Sequence, residues 1–213
     1  MNYQNVLKIL NKIEKKHFFS FLTLLFILCL LFAYVGDENN YFIGNIIPEL
    51  IGVCIELFIF MLIFDQWRLR ESKNNKIKVE RRLREFLIFF LDKACDGLSE
   101  NLKVGRFYGS DYTENQKMLD NFIQHIEQQG LNENVILQVK KYCDNQKDVF
   151  NNLISVSAEL ENEHFKSWAR ISYFINAIST NEEKTSVAMI EILKNIRRFD
   201  KTSHDSELYV GAK

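Results

Sequence analysis

The sequence predicts an all-α membrane protein: an N-terminal two-helix transmembrane hairpin followed by a cytoplasmic helical bundle. Three observations predict it. Two apolar stretches of membrane-spanning length lie within the first 65 residues. Basic residues flank them on one side only. The rest of the chain is charged, repeats apolar residues at helical spacing and has little punctuation, with one proline (Pro48) and eight glycines in 213 residues. A fold of many strands needs more turn residues than that.

Residues 1–16 form the expected cytoplasmic N-terminus, with Lys8, Lys12, Lys15 and Lys16 against Glu14. The first span, 17–35 (HFFSFLTLLFILCLLFAYV), carries no charge and has the roughly 17–25 residues a helix needs to cross hydrocarbon. It is long for the apolar core of a signal peptide and no small-residue cleavage pattern follows, so it reads as a retained anchor. The loop 36–45 holds Asp37 and Glu38 but no Lys or Arg. The second span, 46–65, is interrupted by Glu49 and Glu56. Beyond it come Arg68, Arg70, Lys73, Lys76, Lys78, Arg81, Arg82 and Arg84. Positive charge on both outer flanks and none in the loop puts both termini in the cytoplasm and the loop in the periplasm. The expected location is a bacterial inner membrane, crossed twice; abundant Asn, Lys, Ile and Phe fit an AT-rich bacterial gene.

Nothing stops the second span, because no glycine or proline follows until Gly97, so one helix is expected to leave the membrane and run on. It opens a helical domain over 66–200. The run FLIFFL (86–91) is too short to span a membrane and is apolar on every side, which predicts burial against several neighbours. A turn is expected at VGRFYGSDY (104–112). Thr113 and Gln116 form a capping-box pattern opening a helix to about Gln129, with Met118, Leu119, Phe122, Ile123 and Ile126 on one face. Gly130 is placed to stop it and Asn132 to cap the next. That next helix carries Val135, Ile136, Val139 and Tyr142, then Val149, Phe150, Leu153 and Ile154, with a possible break near Asp144. Phe165, Trp168, Ile171, Phe174, Ile175 and Ile178 mark another helix, and Thr180 with Glu183 a second capping box before the last, ending about Phe199. Residues 201–213 lack periodicity and read as a mobile tail.

The formal net charge of −1 is uninformative, since basic and acidic segments cancel. The cysteines at 29, 54, 95 and 143 have no CxxC spacing, so neither a metal site nor a disulfide framework is expected. No HExxH or GxSxG occurs, and GRFYGS lacks the GK[ST] end of a phosphate loop, so no cofactor and no enzyme activity are expected.

The residues that stand out are in the spans. A carboxyl group at mid-membrane depth costs from about 2.5 kcal/mol upward. Glu49 and Glu56 are seven residues apart and project from nearly the same helix face. Glu49 lies near the outer interface, while Glu56 is deep, where the neutral acid is favoured as a hydrogen-bond donor. Thr23 and Ser20 of the first span are its nearest hydroxyl candidates; the alternative is that copies of Glu56 meet in a homo-oligomer. The plain reading is a neutral acid that fixes helix packing; the functional one lines or gates a polar path. The basic stretch from Arg68 to Arg84 suits anionic lipid head groups of the bilayer, and equally the ordinary flank of any cytoplasmic-in span.

The segment GNIIPELIGVCIELFIFMLIFDQWRLRES, with Asn45, Glu49, Leu50, Ile51, Gly52, Asp65 and Arg68 to Glu71, resembles the second span of small bacterial two-span membrane proteins. Two spans followed by a small cytoplasmic module also resemble membrane effectors of anti-phage defence, including retron-associated and cyclic-nucleotide-triggered ones. The resemblance implies an abortive-infection effector, restrained by a protein or ribonucleoprotein partner and permeabilising the membrane on activation. The alternative is a constitutive scaffold docking a cytoplasmic complex; a small ion-coupled transporter using Glu56 as a proton site is a third.

Overall fold

The computed structural model describes residues 17, 19–31, 34, 47–94 and 112–208. All six helices among them are α-helical elements, and no strand occurs among the described residues. They are α1 (Phe19–Leu31), α2 (Ile47–Ala94), α3 (Tyr112–Gln129), α4 (Glu133–Ser157), α5 (Asn162–Thr180) and α6 (Thr185–Asp205). The expected N-terminal segment 1–16, the periplasmic loop 36–45 and nearly all of the turn at 104–112 lie outside the described residues. The chain divides into two compact units, Met1–Arg70 and Glu71–Lys213.

In the first unit, α2 begins with Pro48 in its opening turn, where the missing N–H costs no helical bond. Among the described residues α2 is the one helix long and apolar enough to cross a membrane. Its 48 residues run without interruption past the apolar stretch. The apolar helix α1 is shorter than a span over its described length. Leu22 and Cys29 of α1 and Ile47 and Cys54 of α2 are buried, and the Phe19 ring meets Phe58 edge-on at 4.9 Å.

In the second unit, helices α3 to α6 and the latter part of α2 share one core. Leu83, Leu87, Phe90 and Leu91 of α2 follow i, i+4, i+7, i+8 spacing and are fully buried. Burial of FLIFFL is one-sided, because Phe89 is exposed. At the centre Phe150 stacks on Trp168 at 5.3 Å, Phe199 meets Trp168 at a tilt, and the Trp168 indole N–H donates to the Phe150 carbonyl at 3.0 Å. Each such side chain contributes roughly 1.5–3 kcal/mol by leaving water.

The caps explain the helix boundaries. Gly130 takes a positive φ of 72°, and its N–H reaches the Ile126 carbonyl at 2.9 Å, closing α3. Asn132 Oδ1 accepts from the Val135 N–H at 2.9 Å and opens α4. There is no break near Asp144, because Cys143, buried at that turn, and Phe150 keep α4 pinned to the core on both sides of it. The capping box expected at Thr180 is replaced by a helix end. Thr180 closes α5 with its hydroxyl on the Asn176 carbonyl, and Asn181 turns left-handed at φ 57°. The N–H groups of Asn181 and Glu182 reach back to Ile178 and Ala177, a Schellman closure. α6 ends in the same way at Glu207 (φ 53°), with Leu208 bonded to Ser203 and buried. Residues 201–208, expected in a mobile tail, are thus helix and cap: Ser203 and Leu208 are held in the core, a tie that no periodicity shorter than a turn and a half could reveal.

Candidate functional site

Two places hold the polar groups of interest, one in each unit. The first is the apolar part of α2. At 100° per residue, Ile47, Cys54, Phe58, Met61 and Asp65 lie within about 40° of one direction, and all five are buried or half-buried. Glu56 points within about 20° of the opposite direction. Glu49, Val53, Glu56, Phe60, Ile63 and Trp67 share that second side, and every one of them is exposed. Glu56 has no hydrogen-bond or ion-pair partner among the described residues. Ser20 and Thr23 of α1 are exposed as well, and the Thr23 hydroxyl is used on its own helix, donating to the Phe19 carbonyl at 2.8 Å. The structure therefore does not bring Glu49, Glu56, Thr23 and Ser20 into one cluster.

The second place is a buried ion cluster that sequence reasoning missed. Glu80, Arg84 and Asp200 are each about 1 % exposed or less. Arg84 Nε donates to Glu80 Oε1 at 2.6 Å, one turn back on α2, and its Nη1 pairs with Asp200 Oδ1 on α6. Gln116 of α3 donates through Nε2 to Asp200 Oδ2 at 2.9 Å and to the Arg197 carbonyl at 3.3 Å. Its amide N–H groups are therefore directed at α6, and α3 already includes Tyr112, one residue ahead of the expected cap Thr113. Ser203 Oγ lies 2.9 Å from His164 Nε2 and 3.1 Å from the Phe199 carbonyl, and also contacts Glu80. Burial pushes the Glu80 carboxyl above its ordinary range, with Arg84 and Ser203 pulling the other way. Burial also pushes the His164 imidazole down to about 4. His164 Nδ1 and Ser167 Oγ have no hydrogen-bond partner among the described residues. This cluster is closed to solvent, and what it does is hold: one guanidinium between two carboxylates ties α2 to α6, with α3 and α5 bonded alongside.

Arg84 thereby leaves the lipid-headgroup patch assigned from sequence. It sits i+7 from Ile77 and one residue after Leu83, on the core side of α2, and its charge is consumed by Glu80 and Asp200. Lys73 and Lys76 are engaged at the surface by Glu207 (2.5 Å) and Glu161 (2.6 Å). Arg68, Arg70, Lys78, Arg81 and Arg82 are exposed. The one signal available in the sequence was Glu80 four residues before Arg84, the favourable order for a helical pair. Asp200, 116 residues away, gave none.

Comparison of the chain with protein-family models, with curated proteins and with solved structures gives no match.

Proposed function

We propose that the chain is a bacterial inner-membrane effector of an anti-phage, abortive-infection system. In this reading it crosses the membrane twice with both termini in the cytoplasm. A protein or ribonucleoprotein partner bound to the helical domain restrains it, and release permeabilises the membrane. The observation that carries the reading is Glu56, an unpartnered carboxyl in the middle of an apolar helix, on the side turned away from α1. Such a group in hydrocarbon is expensive, and its retention argues for use. The unbroken course of α2 supports a direct covalent path from the helical domain to the span.

A second reading, a constitutive scaffold, is favoured by the exposed Leu137, Phe165 and Tyr173 on α4 and α5, which suit docking without any membrane event. Membrane potential after induction in a bacterial host separates the two. The effector depolarises cells rapidly, and Glu56→Leu abolishes the effect. Unchanged potential when the partner is absent refutes the effector and leaves the scaffold.

A further inference from the structure

We infer that the apolar part of α2 packs in parallel against a second copy of itself along Glu49, Val53, Glu56, Phe60, Ile63 and Trp67, with the two Glu56 carboxyls paired. The inference rests on reading α2 as a membrane span, and it names the partner of Glu56.

The six positions alternate spacings of four and three, the 3.5-residue repeat by which two helices keep one seam in contact. Val53, Phe60 and Trp67 fall on one heptad position and Glu49, Glu56 and Ile63 on the other. All are exposed, Phe60 at 67 % and Ile63 at 64 %. The side of α2 carrying Ile47, Cys54 and Phe58 is already occupied, so the seam is the opposite, uncovered side. In the same register beyond Trp67, Arg70, Asn74 and Arg81 are exposed but polar, while Ile77, Arg84 and Ile88 pack into the core of the second unit. The apolar seam thus ends at Trp67.

Three arguments choose a second copy over lipid or an unrelated helix. Lipid tails offer nothing to a carboxyl group. A protonated carboxyl is at once donor and acceptor, so two of them satisfy each other, and the complement of Glu56 is Glu56. Copies inserted with the same topology pack about a two-fold axis along the membrane normal, which sets equal residues opposite each other without further specification. Beside the seam, a methyl group added at Gly52 would meet nothing within 4 Å, so the backbone next to Glu56 is open to close approach.

The test is photo-cross-linking of the full chain in bacterial membranes, with p-benzoylphenylalanine at position 60 or, on the flank, at position 62, where Leu62 is also exposed. The expected result is an adduct of twice the monomer mass from position 60 and little from position 62. Glu56→Leu lowers its yield about three- to thirty-fold, the worth of an interhelical side-chain hydrogen bond, and Glu56→Gln preserves it. Absence of the adduct at position 60, equal yield at both positions, an adduct of any other mass, or indifference to Glu56→Leu overturns the inference. Absence of the chain from the carbonate-resistant membrane fraction overturns it together with the span. Cross-linking is scored independently of membrane potential, so depolarisation without the adduct sinks the seam alone, and the adduct without depolarisation sinks the effector alone.

Discussion

Replacing Arg84 by Met is the sharpest test of the second unit. Met matches the aliphatic stem of Arg and removes the guanidinium, leaving Glu80 and Asp200 buried at about 1 % exposure without their cation. Breaking a buried pair from one side costs about 3–5 kcal/mol. Two features decide where in that range the loss falls. Glu80 is already pushed above the ordinary carboxylate range, so it takes up a proton readily and sheds part of the cost. Asp200 keeps the Gln116 donor at 2.9 Å. Both favour the lower end. For a unit of roughly 140 residues, about 3 kcal/mol corresponds to a fall in Tm of about 10 °C. The assay is thermal unfolding of the full chain in detergent, followed by Trp168 emission in a Trp67→Phe background, because Trp168 lies in the same core and is fully buried. Glu80→Gln and Asp200→Asn added to Arg84→Met remove the stranded charges and recover at least half of the loss. A shift under about 3 °C for Arg84→Met, or no recovery in the triple variant, refutes the argument that the charges are buried and mutually dependent.

Other outcomes follow from the same geometry. His164 is pushed from 6.5 down to about 4, so between those values the unfolded chain binds the proton first, and stability held above pH 6.5 falls as pH drops toward 4. His164→Gln removes up to about 3 kcal/mol of that decline, measured by urea unfolding across the window. Glu80, raised in the folded state, acts with the opposite sign: its contribution is present at low pH and lost as pH rises through its elevated value. Cys143 is fully buried and its thiol is pushed up to about 12, so maleimide labels it only in denaturant; labelling of the native chain at Cys143 contradicts its place in the core. Asn132→Ala, which removes the acceptor for the Val135 N–H, lowers stability by about 1 kcal/mol in the same urea assay.

Much of this architecture was legible in the sequence because it depends on near neighbours. The long run of α2 past the apolar stretch follows from the absence of glycine and proline, and the ends of α3 and the start of α4 follow from Gly130 and Asn132. The failures share a cause. Thr180–Glu183 and Thr113–Gln116 both satisfy the capping-box pattern, yet α5 ends at Thr180 on Asn181, and α3 already includes Tyr112 ahead of Thr113, with the Gln116 N–H donated to Asp200 on another helix. Residues 201–208 escape a reading by periodicity because Ser203 is bonded to His164 on another helix and Leu208 is buried behind the turn that closes α6. Arg84 was misassigned for the same reason. It stands in a basic run with seven others, set apart locally only by Glu80 four residues before it, and the approach of Asp200 from α6 completes its burial.

Glu56 and Glu80 put the two kinds of information side by side, because they lie on one helix and meet the same problem. Glu80 has Arg84 one turn ahead, so the helix carries its own counter-ion and α6 needs only to supply Asp200 and Ser203. One turn ahead of Glu56 stands Phe60, and the nearest basic residue of α2 is Arg68, about 18 Å along the axis at 1.5 Å per residue. No rotamer of Glu56 closes that gap. The hydroxyl of Thr23 is committed to Phe19, and the side of α2 that meets α1 is the wrong side. One helix thus neutralises Glu80 within its own sequence and leaves Glu56 exposed on the side away from Cys54 and Phe58, with no counter-ion for it among the described residues.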